Sequence, residues 1–236
     1  TVKYTEAGVT KTTSYNITVA DSVISIEITT EPKTTYLYNE AFDVTGGKIT
    51  VTKGSGTEVI DMTSGMTSGY DKTVLGSQTI TVTYGGQTDT YEITVSDYVA
   101  SINITAPSKT TYKYNEELDL TGATYTEVWA KAGIGTTEDI TTDMLSGYDK
   151  TIIGSQTVTV THAGKTKDFT VTVEDYATDI IVNAPTKLTY EYNDELEPTG
   201  GTVTPVWASG TAGVAVPMTI GMVSGYDKTT LGNQNI

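Results

Sequence analysis

The feature that most constrains the fold of this chain is an internal repeat. The sequence Ser-Gly-Tyr-Asp-Lys occurs three times, and its tyrosines, Tyr70, Tyr148 and Tyr226, lie 78 residues apart. A second marker, Tyr-x-Tyr-Asn, precedes each copy and begins at Tyr36, Tyr112 and Tyr190. A fixed period of this length indicates an array of small, similar units rather than one large domain.

Each unit is predicted to contain about seven short strands and no long helix. Ile24, Ile26 and Ile28 alternate with polar residues, as expected for a half-buried strand. Near the end of the unit, two further alternating runs flank Gly85 and Gly86, which predicts a hairpin because glycine supplies the positive φ of its turn. Short strands in a unit of this size favour a two-sheet sandwich. The sequence therefore predicts an all-β protein.

The repeat also predicts the domain boundaries. Residues 22–97 (repeat one) and 98–175 (repeat two) are complete units, and residues 176–236 (repeat three) form a unit that lacks its last hairpin. Residues 1–21 match the last two strands of a repeat. The linkers contain no Gly/Ser or Pro run, so we predict a semi-rigid rod.

The two ends of the sequence match each other in the pattern of the repeat. Placing Thr1 after Ile236 continues the repeat without a gap, because the joined sequence parallels residues 78–84. Three explanations remain open. The first is that the chain is a window on a longer array. The second is that it is one period of an assembly, in which residues 1–21 complete the last repeat of a neighbour. The third is a circularly permuted monomer. Strand addition from a neighbour is a known way to satisfy a bare sheet edge.

Composition excludes several classes of function. The net charge is −15, and the 14 cationic side chains are all lysines scattered along the chain. Nucleic-acid binding needs clustered cations that neutralise phosphates, so this balance argues against it. The chain has no cysteine, which rules out a disulfide framework and a thiolate metal site. No apolar run is long enough to span a bilayer.

Five motifs recur in one order: Pro-(x)-Lys-x-Thr-Tyr, Tyr-Asn-(Glu/Asp), Asp-(Leu/Val)-Thr-Gly, Met-x-Ser-Gly-Tyr-Asp and Gly-Ser-Gln-Thr-(Ile/Val)-Thr-Val-Thr. This set resembles the bacterial immunoglobulin-like domain family, group three. Repeat three departs from it at Glu197 and Pro198, where the proline is expected to disturb a strand pairing. The resemblance implies tandem immunoglobulin-like β-sandwich repeats, an extracellular or cell-wall setting in a Gram-positive bacterium, and no catalytic residues.

Two sets of residues are candidate binding groups. Trp129 and Trp207 lie at the ends of equivalent strands, where an exposed indole would stack on a sugar; we favour the interpretation that each covers the end of its own sandwich. Asp21, Asp97 and Asp175 lie at the junctions, where carboxylates would bind calcium. Because no Asp-x-Asp-x-Asp cluster is present, we expect solvated side chains there.

The remaining candidates are interpreted as structural. His162 is the only histidine and occupies the position of Tyr84 on an alternating face. The marker tyrosines are expected to hold a turn by packing and by a hydroxyl hydrogen bond, and Tyr36, Tyr38 and their equivalents to pack in the core and at the edge. Asn16, the one asparagine of the final strands that an isopeptide bond would need, is expected to point outward.

These observations predict a non-enzymatic structural repeat of a bacterial cell-surface or extracellular assembly: a stalk, filament or sheath subunit. The alternative is an adhesin-type module that recognises carbohydrate or a host protein through inter-strand loops. We expect no catalytic residue, cofactor or metal. The expected partners are copies of the chain or neighbouring immunoglobulin-like repeats, with cell-wall or host glycan as a further candidate.

Overall fold

The computed structural model describes residues 1–236 and consists of β-strands, three short 3-10 helices and connecting turns. Two compact units are distinguished, Thr1–Tyr98 with Trp129–Gly133, and Val99–Val128 with Ile134–Ile236.

The chain begins with an antiparallel hairpin of strands β1 (Val2–Glu6) and β2 (Val9–Thr13). Its turn is formed by Ala7 and Gly8, both with positive φ, as a two-residue hairpin turn of the primed type requires. The next residues, 14–22, are not in a strand. Within residues 1–21, which match the last two strands of a repeat, the structure therefore has strands only at β1 and β2.

Repeat one forms the predicted two-sheet sandwich with seven strands. One sheet has the order β3-β5-β6 and the other β4-β9-β8-β7, with β4 parallel to β9. A 3-10 helix at Ser64–Met66 connects the two sheets. The strands are β3 (Val23–Thr30), β4 (Thr35–Leu37), β5 (Lys48–Lys53), β6 (Gly56–Asp61), β7 (Thr67–Ser68), β8 (Gly76–Tyr84) and β9 (Gln87–Ser96).

Repeat two has the same architecture, with sheets β10-β12-β13 and β11-β16-β15-β14 and a 3-10 helix at Thr142–Met144. This repetition confirms the predicted all-β tandem fold. The strands are β10 (Val99–Thr105), β11 (Thr111–Lys113), β12 (Thr124–Trp129), β13 (Gly133–Asp139), β14 (Leu145–Ser146), β15 (Gly154–His162) and β16 (Lys165–Glu174).

Each complete repeat has its own buried core between its two sheets. In repeat one, Ile49 and Val51 of β5 face Ile80, Val82 and Ile93 of the predicted hairpin, and all five are buried. An equivalent cluster fills repeat two. Alternate residues of these strands point into the core, because successive side chains of a strand lie on opposite faces. The predicted hairpin around Gly85 and Gly86 is confirmed.

One predicted core position is wrong. Ile24 is 59% exposed, whereas Ile26 is buried. The pairing of β3 with β5 shifts between Val23 and Ser25, and such a bulge moves the following side chains to the opposite face. Val23 packs against the core instead. The alternating pattern of isoleucines does not reveal the bulge.

The recurring Ser-Gly-Tyr-Asp-Lys marker closes a loop before strand β8. Gly69 has a φ of +103°, and a Cβ there would lie 2.4 Å from the carbonyl oxygen of Thr79. The Tyr70 hydroxyl donates to the carbonyl oxygen of Glu40 at 2.7 Å, which confirms the predicted hydroxyl bond. The Gln78 side chain accepts from the amide of Asp71 at 2.8 Å and donates to its carbonyl oxygen at 2.8 Å. The marker therefore recurs because backbone, hydroxyl and amide contacts all depend on it.

Repeat three contains one sheet where the other repeats have two. Strands β17 (Ala177–Asn183), β18 (Thr202–Trp207) and β19 (Val216–Pro217) form this sheet, and a 3-10 helix follows at Ile220–Met222. Neither Thr189–Glu191 nor Val223–Ser224 is in a strand, although the equivalent segments of repeat two are β11 and β14. Those strands pair with β16 and β15, whose equivalents repeat three lacks.

Candidate functional site: an open groove and the linker aspartates

The most distinctive surface of the chain is a groove in repeat three, on the side where the second sheet is absent. Its volume is about 520 Å³, and its lining includes Val182, Tyr190, Val223, Tyr226, Gln234 and Ile236. We call this surface the groove. In the complete repeats the corresponding space is filled by the last strand of the sandwich, β9 or β16.

The side chains around the groove are exposed where their equivalents are buried. Ile180 is 55% exposed, whereas Ile102, at the same position in repeat two, is fully buried. Ile236 is 62% exposed, whereas Val158 is fully buried. These side chains lie on the face that the second sheet covers in repeats one and two.

The framework of the groove is formed without the missing strand. The Tyr226 hydroxyl donates to the carbonyl oxygen of Asp194 at 2.9 Å, as Tyr148 does to Glu116 at 2.7 Å. Gln234 accepts from the amide of Asp227 at 2.7 Å. These contacts place the segment that leads to Ile236 in the same setting as the start of β8 and β15.

The hairpin β1–β2 and the residues after it carry a second set of exposed apolar side chains. Tyr15, Ile17 and Val19 are 72%, 76% and 88% exposed. Their equivalents in strand β9, at the positions that the repeat predicts, are buried. The role of residues 1–21 as strands of a sandwich stays a prediction.

The linker aspartates bind backbone and hydroxyl groups of the repeat that follows them. Asp21 accepts hydrogen bonds from the amide of Ser55, at 3.1 Å, and from its hydroxyl. The Ser55 hydroxyl bond holds the pKa of Asp21 below its usual range. Asp97 accepts from the amides of Lys131 and Ala132, both at 3.0 Å.

Asp175 repeats this arrangement with Ser209, whose amide and hydroxyl both donate to the carboxylate. Desolvation acts to raise the pKa of Asp175, but the hydrogen bonds from Ser209 and from the amides of Tyr176 and Ala208 together outweigh it and hold the pKa below its usual value. These carboxylates connect each linker to a loop, while Asp21 stays exposed to solvent as expected. The sequence signal was the shared spacing: Asp21 and Ser55 are 34 residues apart, as are Asp175 and Ser209.

The other predicted residues are dispersed. Trp129 and Trp207 are half-buried at the ends of β12 and β18. His162 Nε2 lies 2.7 Å from a carboxylate oxygen of Glu127, and its ring packs against Tyr125 with the centroids 4.5 Å apart. Asn16 is exposed.

A shallow depression of about 590 Å³ lies beside Tyr176 in the second unit. The Lys113 ammonium lies 5.2 Å from the centroid of the Tyr176 ring, in the range of a cation–π contact. A sugar would have to displace this ammonium to stack on that side of the ring. The structure contains no group of three or more His, Asp or Glu side chains arranged to hold a metal ion, and no helix with the length and apolar character needed to cross a membrane.

Comparison with known proteins shows the following similarities. The family model described as "Bacterial Ig-like domain (group 3)" matches residues 29–95 and 105–173. An exo-β-1,6-galactobiohydrolase of Bifidobacterium longum subsp. longum is 30% identical over 106 residues, which cover 42% of this chain but only 7% of that enzyme. The solution structure of "a putative surface protein" is 30% identical, with a TM-score of 0.23, and covers 33% of this chain and 91% of that one.

The first family match ends within strand β9 and the second within strand β16. This is the strand whose equivalent is absent from repeat three.

Proposed function

Since this chain belongs to the group 3 family of bacterial Ig-like domains, we propose that it is a structural module of a bacterial cell-surface or extracellular assembly. Its role is to extend and space the parts of that assembly. The supporting observation is the repetition of a complete sandwich, each copy with a core of its own and each preceded by an aspartate that binds the following loop.

We propose that the module is not itself catalytic. The family is one of β-sandwich domains, and a fold of this kind carries a function only through a site placed on it. The match to the galactobiohydrolase covers 7% of that enzyme, which is consistent with an accessory domain beside a catalytic one. This interpretation explains why the chain is similar to part of an enzyme, and it assigns no reaction to the present chain.

The proposed setting is tested by surface labelling. Antibodies raised against the chain should label intact cells of the source organism, and protease added outside the cells should remove the signal. Labelling that requires permeabilised cells would contradict an extracellular role. An intracellular protein of the same cells, treated in parallel, controls for lysis.

The second candidate is a binding module that recognises carbohydrate or a host protein. It is favoured by the differences between equivalent loops, such as Gly54–Gly56 and Ala130–Gly133. The half-buried tryptophans and the ammonium over Tyr176 give it less support. Glycan-array binding that is lost in the Trp129→Ala, Trp207→Ala double variant would establish it, and binding that survives would remove these residues as the cause.

A further inference from the structure

We propose that repeat two binds the ammonium group of a lysine side chain from a partner protein, at the shallow depression that Tyr114 and Tyr176 line. The inference goes beyond the spacing role, because it names a binding site and the chemistry of its ligand. It starts from two copies of the same structure within this chain. In repeat one a lysine ammonium lies over the ring of Tyr38, and in repeat two the equivalent ring is that of Tyr114.

The lysine over Tyr38 is Lys131, from the loop between β12 and β13, and both residues lie in the first compact unit. Its ammonium lies 5.6 Å from the centroid of the Tyr38 ring and donates to the carbonyl oxygen of Thr73. The amide of Lys131 donates to Asp97 at 3.0 Å, which fixes the loop. An ammonium within about 6 Å of an aromatic ring is attracted by the ring quadrupole, and its charge strengthens the hydrogen bond to the carbonyl. Repeat one therefore receives a lysine side chain with a ring and a carbonyl oxygen.

The ring and the carbonyl oxygen have equivalents in the same backbone setting in repeat two. The amide of Tyr114 donates to the carbonyl oxygen of Glu174 at 2.8 Å, and the amide of Asn115 donates to that of Lys150 at 2.8 Å. In repeat one the equivalent amides make the same two bonds, at 2.8 and 2.9 Å. These bonds hold the Tyr114 turn against the loop that contains Thr151, the equivalent of Thr73 in sequence.

An aspartate of this loop adds a negative charge in both repeats. Hydrogen bonds from Thr73 are the main cause that holds the pKa of Asp71 below its usual range, and the positive charge of Lys131 contributes. Hydrogen bonds from Thr151 lower the pKa of Asp149 in the same way, but no lysine contributes there. Asp149 therefore has the position and the charge of Asp71 without the cation.

The difference between the two repeats lies in the loop that follows each of them. Ser209 stands 34 residues after Asp175, as Lys131 stands 34 residues after Asp97. The short side chain of Ser209 donates its hydroxyl to Asp175. The position that the Lys131 ammonium fills in repeat one is therefore open in repeat two, where a depression of about 590 Å³ includes Tyr114 in its lining.

The charges around the depression favour a cation over an anion. Its lining contains Lys109 and Lys113, and the carboxylates of Glu116 and Glu174 offset them. Asp149 adds a further negative charge, and the whole chain carries −15, so the field of the protein attracts cations. Because a lysine on an exposed loop fills the equivalent position in repeat one, the same group of a partner protein fits here.

The test is an NMR titration of the isotope-labelled full chain with a peptide that copies the loop around Lys131. The probe is the acetylated and amidated peptide Ala-Lys-Ala-Gly, the sequence of residues 130–133. It should shift the amide signals of Asn115 and Thr151 with a saturable, millimolar affinity, as expected for one exposed cation–π contact with a hydrogen bond. The control peptide has norleucine in place of lysine, and without the charge its shifts should be at least about fivefold smaller.

Substitutions at the lysine position give matched controls within the chain. Ser209→Lys should place the chain's own ammonium at Tyr114 and abolish the response to the peptide, whereas the uncharged Ser209→Gln should keep it. Lys131→Ala should open the position in repeat one. The amides of Asn39 and Thr73, which the peptide leaves unchanged in the wild type, should then respond to it. All three substitutions lie in exposed or half-buried loop positions, so circular dichroism should show that the variants fold.

Three results would overturn the proposal. Equal shifts from the lysine and norleucine peptides would show that the ammonium is not recognised. A response that Ser209→Lys leaves unchanged would place the peptide somewhere other than at Tyr114. Shifts of the Asn115 amide by glucosamine, with none from the lysine peptide, would identify an amino sugar as the ligand. The spacing role does not depend on any of these outcomes, because surface labelling tests it separately.

Discussion

At the scale of single residues, the hydroxyl of Tyr91 stands out because it is buried and has no hydrogen-bond partner. Repeat two has Phe169 at the equivalent position, where the ring packs in the core without a hydroxyl. An unsatisfied buried polar group lowers stability by the cost of removing it from water. Repeat one therefore contains a defect that its neighbour avoids.

This hydroxyl predicts a pH dependence. Burial raises the pKa of Tyr91 to about 12, whereas an unfolded tyrosine titrates near 10. The unfolded chain therefore loses this proton first, and stability that is fully present below about pH 10 is lost as the pH rises toward 12. Tyr91→Phe should abolish this contribution, on the order of 2 kcal/mol, and be at least as stable as the wild type at pH 7. Urea unfolding at pH 7 and at pH 11.5 measures the free energy of unfolding of the wild type and of Tyr91→Phe. If both proteins lost the same free energy of unfolding between the two pH values, the assignment to Tyr91 would be refuted.

Gly69 is the second residue whose substitution has a predictable cost. Gly69→Ala introduces a Cβ 2.4 Å from the Thr79 carbonyl oxygen at a φ of +103°. The backbone has to shift, and we expect a loss of about 2 kcal/mol or more in the free energy of unfolding. Gly65→Ala is the matched control because its Cβ would have no atom within 4 Å. A loss in Gly69→Ala no larger than that of the control would contradict the close-approach explanation.

At the scale of elements, short strands form here only where a neighbouring strand is present. Thr111–Lys113 is a strand because it pairs with Thr172–Glu174 of β16, whereas Thr189–Glu191 has no such partner and is not a strand. A three-residue segment gains too little from its own propensity to remain extended, and depends on ladder hydrogen bonds.

The linker preceding repeat three is fixed by a side chain, and this contact predicts a local effect. Asp175→Ala removes the acceptor of the Ser209 amide and hydroxyl, so amide hydrogen exchange around residues 208–211 should become severalfold faster. Glu174→Ala is the control, since it removes the same charge from an exposed neighbouring position. Exchange-rate measurements that find no difference between the two variants would show that the carboxylate does not hold the loop.

At the scale of the whole molecule, the rod predicted from the short linkers stays a prediction. Small-angle scattering at concentrations below any self-association should give a maximum dimension that grows with the number of repeats. A compact globule would show that this prediction is wrong.

The sequence by itself determined the period, the two-sheet sandwich and the last hairpin of each complete repeat. Alternation along β8 and β9 and the glycines between them are local signals, because side-chain direction and turn conformation depend on neighbours in the chain. Tyr70 was likewise recognisable as a turn-holding residue from its recurrence, although its acceptor was not.

Only the tertiary structure decided which distant groups meet. The bulge at Ile24, the loop partners of Asp21 and Asp175 and the open groove beside Ile236 all depend on contacts between segments far apart in sequence. Residues 1–21 and repeat three were both readable as repeat fragments. Their exposure in a single chain follows from a physical requirement that a sequence pattern does not contain: an apolar strand is buried only when a facing sheet and a paired edge are both present.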